Sequence, residues 1–309
     1  MKFYKILYLF ILILIAACSS NNSLLVTGLE GVTKSIKAQY APDKRVAIFD
    51  VNFDNSDDKI IAYGMTDSKE AYQKLLDSLK SLNVAFINNI RVLPDTLVGN
   101  KMYAVARNAV INIRSAPKHS AELGTQALLG MSLKILDKEG DFYRIQTPDS
   151  YISWVDKGGI QKMNKGEFDT WNASKKVIFI KNFGYVYASK NKNAEIISDI
   201  TLGGLLKYLS EDSTFYEVKY PDNRTGFIKK SEGVIYENWL QKLQPSKDNI
   251  ETIAKKMNGF PYLWGGTSAK GIDCSGFTKM VYLLNGFVIP RDASQQINAG
   301  KIFKDIPNN

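Results

Sequence analysis

Two stretches of the chain repeat each other without a gap, and this repeat limits most strongly what the chain can fold into. Phe142 recurs as Phe215, 73 residues later, within matching runs at 121–149 and 194–222. Each run holds short alternating apolar segments separated by Gly, Pro and Asp turns, which is typical of small all-β barrels. The repeat therefore predicts two similar β-barrels in tandem.

The first eighteen residues have the pattern of an export signal. Lys2 and Lys5 precede an uncharged run from Ile6 to Ala17. As a helix this run would be about 18 Å long, too short for a bilayer core of about 30 Å, so it indicates a secretory signal rather than a membrane span. The small residues before Cys18 resemble the lipobox of bacterial lipoproteins, which implies cleavage before Cys18, a lipid on its thiol and attachment to a membrane. The alternative is an ordinary signal in which Cys18 is incidental.

Composition excludes several classes of protein. The 309 residues are 45% hydrophobic and 23% charged, which rules out a wholly disordered chain. Two cysteines exclude a disulfide scaffold, and a single histidine excludes a histidine-rich metal site. The net charge of +9 is spread along the chain, so solubility is favoured over binding of a polyanion. We expect no cofactor, no metal and no nucleic-acid partner, because the chain has no phosphate-binding Gly-rich loop and no paired Cys motif.

Residues 24–98 predict a small α+β domain with a structural or partner-binding role. Strands are expected at Arg45–Val51, Ile60–Tyr63 and Val84–Leu93. A helix between the last two has Asp67 and Glu70 as its expected capping pair. Its apolar stripe comprises Tyr72, Leu75, Leu76, Leu79 and Leu82.

The chemistry is concentrated near the end of the chain, where Pro261–Gly266 (P-Y-L-W-G-G) precedes Gly271–Gly276 (G-I-D-C-S-G). Apolar spacing after Cys274 predicts a helix that begins at or just before this residue. The unpaired amides and the positive dipole end of a helix N-terminus stabilise a thiolate, so Cys274 is a candidate nucleophile. The alternative is a structural buried cysteine.

These motifs resemble the NlpC-type cell-wall peptidases, which are papain-like cysteine peptidases of bacteria. The first copy of the repeat, with N-I-R-S-A-P at Asn112–Pro117, resembles the bacterial Src-homology-3-like domain that often accompanies them. The likeness covers roughly residues 103–309. It implies a multidomain α+β fold with the following parts: signal peptide 1–17, tether 18–23, small α+β domain 24–98, first barrel 99–165, second barrel 172–240 and the N-terminal part of a papain-like α+β peptidase domain 246–309.

The resemblance assigns the chemical step to two residues. Cys274 matches the nucleophile that attacks a peptide carbonyl. Tyr262 matches a tyrosine near the oxyanion, where a phenol donor stabilises developing charge. A core aromatic is the alternative for Tyr262.

The resemblance also assigns substrate contacts on both sides of a cleft. Asp273 and Ser275 match residues that hold the free amino terminus of a murein stem peptide, with a helix cap as the alternative for Asp273. Trp264 matches an aromatic pocket wall, or packs in the core. The first barrel is expected to close the cleft with Glu122 and Tyr151. The alternative for Glu122 is a structural role in the barrel, and the alternative for Tyr151 is an exposed surface position.

Two further cleft residues are expected in the segment after the cysteine helix. These are Arg291 and Ser294, for which an ordinary surface turn is the alternative.

The chain departs from the family pattern at the base. A papain-like site needs a group that takes the thiol proton, and the family places a histidine in a strand after the cysteine helix. Here the one histidine is His119, in an expected turn of the first barrel, and Asn309 follows Cys274 by 35 residues. We expect either a fragment, which we favour, or a degenerate relative that only binds, and in both cases no efficient hydrolysis by this chain.

The sequence thus predicts a lipid-anchored cysteine endopeptidase of the cell envelope, on the periplasmic side of a bacterial membrane. Its partners would be peptidoglycan stem peptides, cut between γ-D-glutamate and the following diamino acid. A non-catalytic cell-wall-binding lipoprotein is the alternative, and a purely structural envelope lipoprotein is the third.

Overall fold

The computed structural model describes residues 27–56, 59–83, 85–191, 193–244 and 246–300. The expected signal peptide and lipid-bearing Cys18 lie outside these ranges. Within them, no helix combines the length and apolarity needed to cross a bilayer. The chain divides into two compact units between Asp95 and Thr96.

The described residues form mixed α+β structure. The helices are α1 (27–40), α2 (Lys69–Ser81), α3 (Lys165–Ala173), α4 (Tyr236–Gln241), α5 (Lys247–Lys256), α6 (Cys274–Leu283) and α7 (Ala293–Gln296). The strands of the first unit are β1 (Phe49–Ser56), β2 (Lys59–Thr66) and β3 (Phe86–Val92). The next seven are β4 (Tyr103–Ala106), β5 (Val110–Arg114), β6 (Leu123–Leu128), β7 (Ser132–Glu139), β8 (Phe142–Gln146), β9 (Ile152–Asp156) and β10 (Ile160–Met163). The remaining nine are β11 (Lys176–Phe179), β12 (Phe183–Tyr187), β13 (Ile196–Thr201), β14 (Leu205–Glu211), β15 (Phe215–Lys219), β16 (Thr225–Lys229), β17 (Gly233–Ile235), β18 (Thr267–Ser268) and β19 (Gly271–Ile272).

The first unit is a three-stranded sheet with two helices. β1 pairs antiparallel with β2, while β2 pairs parallel with β3. A parallel neighbour requires a crossover connection, and α2 supplies it. Leu29 and Ile36 of α1 share one core with Leu75 and Leu79 of α2.

The expected elements of this unit are present with shifted bounds. The cap of α2 is Ser68, whose Oγ accepts a hydrogen bond from the backbone N–H of Ala71 at 3.0 Å. The expected cap Asp67 is therefore wrong, because its carboxylate instead accepts from the backbone N–H of Ile48 at 2.7 Å. The unit also ends at Asp95 rather than at residue 98, since Val98 packs in the core of the first barrel.

The second unit contains two seven-stranded antiparallel sheets with one topology. The first runs in the order β10-β4-β7-β8-β9-β5-β6 and the second in the order β13-β12-β16-β15-β14-β11-β17. Each strand of the second sheet begins 73 residues after its counterpart in the first, as Phe215 of β15 follows Phe142 of β8. All seven strands of the first sheet contribute to one core, so this sheet curls into a barrel. We refer to Tyr103–Met163 as the first barrel and to Lys176–Ile235 as the second barrel.

The two barrels meet through backbone. The N–H of Leu205 in the second barrel donates to the carbonyl of Leu129 in the first at 2.8 Å. Gly130 has a φ of +83°, and a Cβ built on it would lie 2.2 Å from the carbonyl oxygen of Leu205. Only glycine fits such a close approach.

The C-terminal segment (246–300) packs on both barrels. Its helix α6 shares a core with each of them, through Leu128 of the first and Leu202 of the second. A buried ion pair joins Lys279 of α6 to Asp149 of the first barrel, with Nζ and Oδ2 2.7 Å apart. These contacts fix the beginning of α6 relative to the first barrel.

Replacement of Gly130 by alanine should destabilise the junction of the barrels. A matched control is Gly140→Ala, since Gly140 has a φ of +54° but open space around it. The control isolates the backbone penalty of about 1–2 kcal/mol, while Gly130→Ala adds overpacking of about 1–3 kcal/mol. Urea unfolding would measure both variants, and equal losses in the two would refute the proposed steric role of Gly130.

Candidate active site

Cys274 is the first residue of α6, and its side chain is exposed. The helix starts there because Asp273 caps it: Oδ1 of Asp273 accepts a hydrogen bond from the backbone N–H of Gly276 at 2.7 Å. The first amides of a helix have no acceptor within the helix, and Cys274 and Ser275 carry the first two of α6. The predicted position of Cys274 at a helix N-terminus is therefore present.

Asp273 lies in a buried network with Arg291. The two guanidinium NH groups of Arg291 donate to the two carboxylate oxygens at 2.7 and 3.2 Å. Arg291 also donates to the hydroxyl of Ser275 at 2.7 Å, and the N–H of Gly265 donates to Asp273 at 2.9 Å. Arg291 is 1% exposed and Asp273 is 6% exposed, so the pair is shielded from water.

The network stabilises the charged form of Asp273. Burial alone would raise the pKa of this carboxyl, but the hydrogen bonds from Arg291 and from the backbone of Gly276, together with the nearby guanidinium charge, hold its pKa below the usual range. Asp273 is thus the N-cap of α6, which was the alternative expected for this residue. Binding of a substrate ammonium by Asp273 stays a prediction. Such binding would have to compete with Arg291, which already pairs with this carboxylate.

Cys274 opens into a cavity of about 420 Å³. One wall comes from the C-terminal segment and the other from the first barrel. Eight lining residues carry a sequence prediction: Glu122, Tyr151, Trp264, Asp273, Cys274, Ser275, Arg291 and Ser294. The hollow that a barrel-closed cleft requires therefore exists beside the thiol.

A hydrogen bond joins the two walls. The indole Nε1 of Trp264 donates to Oε1 of Glu122 at 2.8 Å. Trp264 is 63% exposed, which excludes core packing for this residue. Glu122 has no cation within ion-pair distance among the described residues, whereas Asp273 is paired with Arg291.

Two glycines allow close approaches beside the cavity, one between the two walls and one within the barrel wall. Gly265 has a φ of +81°, and a Cβ on it would lie 2.1 Å from the carbonyl oxygen of Leu123. On the barrel side, a Cβ on Gly124 would lie 3.0 Å from the hydroxyl of Tyr151, which lines the cavity. The contact of Gly265 joins the C-terminal segment to the first barrel, and the contact of Gly124 lies within the first barrel.

Two of the predicted residues stand in a different relation to the cavity. Tyr262 bridges to Ile272 through its backbone and is 69% exposed, which excludes a core aromatic, but it does not line the cavity. Its role at the oxyanion stays a prediction. Arg291 does not present a free charge to the cavity, because Asp273 neutralises it.

His119 is separate from the cavity at Cys274. Its Nε2 lies 3.7 Å from Oδ2 of Asp156, and its ring packs edge-on against Phe142 with centroids 5.0 Å apart. Its side chain is 77% exposed on the first barrel. Among the described residues, then, no histidine lines the cavity that contains Cys274.

Sequence reasoning missed Leu123 and Gly124 of β6 as parts of the wall. Leu123 meets Gly265 through its backbone carbonyl and its side chain, and an apolar residue in a strand gives no signal of such a contact. The paired glycines of W-G-G were the available signal for a close approach at Gly265. The surface they approach could not be identified without the fold.

The fold and site match known proteins in two segments. Residues 108–161 match the family described as Bacterial SH3 domain, and residues 259–308 match the NlpC/P60 family. A gamma-D-glutamyl-L-lysine dipeptidyl-peptidase of Bacillus cereus is 30% identical over 187 residues, covering 58% of this chain and 55% of that protein. A protein of the same name from Bacillus subtilis is 28% identical over 185 residues, covering 57% of this chain and 58% of its own. The chain thus spans little more than half the length of these two relatives.

A solved NlpC/P60 family protein from Bacillus cereus has the same fold. It superposes with a TM-score of 0.57 at 24% identity and covers 65% of this chain and 79% of its own. The mixed α+β class with several sheets is confirmed, and so is the resemblance to NlpC-type peptidases with bacterial SH3 domains. The two family matches thus cover most of the first barrel and the part of the C-terminal segment that contains Cys274.

Proposed function

We propose that the complete protein is a cysteine endopeptidase that cuts murein stem peptides with a free amino terminus, at the bond between γ-D-glutamate and the following diamino acid. The observation that carries this proposal is the exposed thiol of Cys274 at the start of α6, in a cavity that the first barrel closes. The names of the relatives support the choice of bond.

The chemistry follows the position of the thiol. The thiol of Cys274 gives up its proton, and the thiolate sulfur attacks the γ-carbonyl carbon of the substrate. The C–N bond breaks, and the amine of the diamino acid leaves with the proton that the thiol gave up. The resulting thioester is hydrolysed by water, which restores the thiol. The first-turn amides of Cys274 and Ser275 have no acceptor within the helix, so they are the candidate donors to an oxyanion beside the thiol.

The cavity favours a short ligand with a positive end. The barrel wall with Glu122 and Tyr151 limits how far a peptide extends on its amino-terminal side. Because Arg291 already neutralises Asp273, Glu122 supplies the negative charge that pairs with the substrate ammonium. A blocked amine would lose this pairing and leave the carboxylate without a cation.

Binding of L-Ala-γ-D-Glu-L-Lys and of its N-acetyl form to Cys274→Ser protein tests this assignment. We expect the free amine to bind about tenfold more tightly or better, since a charge-assisted hydrogen bond contributes about 1.5–3 kcal/mol. Glu122→Gln should remove this preference. Calorimetric titration measures both, and the control Glu195→Gln, at the matching position of the second barrel, should leave the preference unchanged. A preference that survives Glu122→Gln would contradict the role of Glu122.

The reactivity of Cys274 separates an enzyme from a binding module. We expect iodoacetamide to label Cys274 of the folded chain at neutral pH, and Cys274→Ser to remove the labelling. Because no histidine lines the cavity within the described residues, we also expect no efficient turnover of the tripeptide by the 309-residue chain. Mass spectrometry measures labelling, and chromatography measures turnover.

His119→Gln serves as the control, since we expect it to leave labelling of Cys274 unchanged. A silent thiol would favour the alternative, a non-catalytic cell-wall-binding lipoprotein. Robust turnover that depends on His119 would refute the conclusion that His119 is not the catalytic base.

We further propose that the protein is held by a lipid on Cys18 at the periplasmic side of a bacterial membrane. The support is the lipobox-like sequence Ile15–Cys18 after a short apolar run. In a bacterial host the full chain should fractionate with membranes, and Cys18→Ser should move it to the soluble fraction. The control is Ser20→Ala, which leaves the proposed lipid site intact. Membrane association of Cys18→Ser equal to that of the control would contradict lipid anchoring.

A further inference from the structure

A second cavity, of about 300 Å³, lies where the two barrels meet helix α6. None of its lining residues lines the cavity at Cys274. Its walls are mainly apolar and include the side chains of Trp171, Leu205, Trp239, Leu284 and Phe287. The volume lies at the lower end of the range of small-molecule sites, about 300–1,000 Å³.

One cation in this wall has unused donors. The side chain of Lys279 is 8% exposed, and its Nζ donates to Oδ2 of Asp149 at 2.7 Å. The other oxygen of Asp149 accepts from the hydroxyl of Thr147 at 2.6 Å, so the carboxylate is satisfied on both sides. An ammonium has three donors, and Asp149 is the single acceptor of Lys279 among the described residues.

A second lysine in the wall adds positive charge. Lys176 is 6% exposed, and its Nζ donates to the carbonyl oxygens of Trp171, Asn172 and Ser174 at 2.6, 3.1 and 2.9 Å. All three donors are thus used by the C-terminal end of α3, without a carboxylate. The cavity wall therefore carries two ammonium groups and one carboxylate.

An excess positive charge beside an apolar cavity is costly unless an anion pairs with it. Burial lowers the pKa of Lys176, and it also lowers the pKa of Lys279 in spite of the attraction of Asp149. An anion near Lys279 would use its two remaining donors. The rest of the wall would contact hydrocarbon.

We propose that this cavity binds a small amphiphilic carboxylate, an aliphatic acid of medium chain length, with its carboxylate on Nζ of Lys279 and its chain against the apolar wall. At a liquid-like volume of about 30 Å³ per non-hydrogen atom, the cavity holds roughly ten such atoms. Octanoate, with ten non-hydrogen atoms, is therefore a suitable probe, and 1-octanol is its uncharged match.

Calorimetric titration of the full chain tests the proposal, with the fluorescence of Trp171 and Trp239 as a second readout. We expect octanoate to saturate one site and to bind about tenfold more tightly than 1-octanol. Cys274→Ser should bind octanoate as the unchanged chain does. Equal binding of acid and alcohol, or no saturable binding, would overturn the proposal.

Two variants locate the charge. Lys279→Gln should remove the preference for the acid, whereas Lys270→Gln, which removes an exposed lysine paired with Asp199, should keep it. Asp149→Asn should tighten octanoate binding, because it removes the competing carboxylate. Because Asp149→Asn is expected to strengthen binding rather than weaken it, this variant still tests the proposal if Lys279→Gln fails to fold. Weaker binding by folded Asp149→Asn would contradict the proposal.

Discussion

The buried carboxylate of Asp273 organises the candidate site. It caps α6, accepts the N–H of Gly265 and binds both NH groups of Arg291. Three segments separated in sequence therefore meet at one side chain. Loss of one partner of a buried ion pair costs about 3–5 kcal/mol, so this arrangement is strongly coupled. The exposure of Cys274 follows from it, because the cap sets the residue at which the helix begins.

The first barrel completes the site from the other side. Gln126 of β6 exchanges hydrogen bonds with Thr267 and Ser268, all of them buried, and Gly265 lies against the backbone of Leu123. These contacts hold β6 beside the turn that precedes Cys274. The cavity is consequently shared between two parts of the chain that fold by different patterns, an alternating β pattern and a helical one.

Much of the local structure was predictable because it depends on short-range patterns. The start of α6 at Cys274 follows from an Asp cap and an apolar helical stripe, and the strands of the two barrels follow from alternation and turns. The neutralisation of Asp273 was not predictable, because Arg291 lies 18 residues away with no periodic relation to it. Likewise, Asp67 does not cap α2, because its carboxylate accepts a tertiary hydrogen bond from the backbone N–H of Ile48. Ser68 caps the helix instead.

The division of charge between the two walls has a consequence for recognition. The charge of Asp273 is neutralised inside the C-terminal segment, where Arg291 and the N-terminus of α6 surround the carboxylate. Glu122 keeps its charge at the exposed edge of the cavity, with the indole N–H of Trp264 as its donor. Under the proposed function, the carboxylate that positions the thiol, Asp273, and the carboxylate that pairs with a ligand amine, Glu122, lie on different walls. A change of ligand preference through the barrel therefore need not disturb the geometry of Cys274.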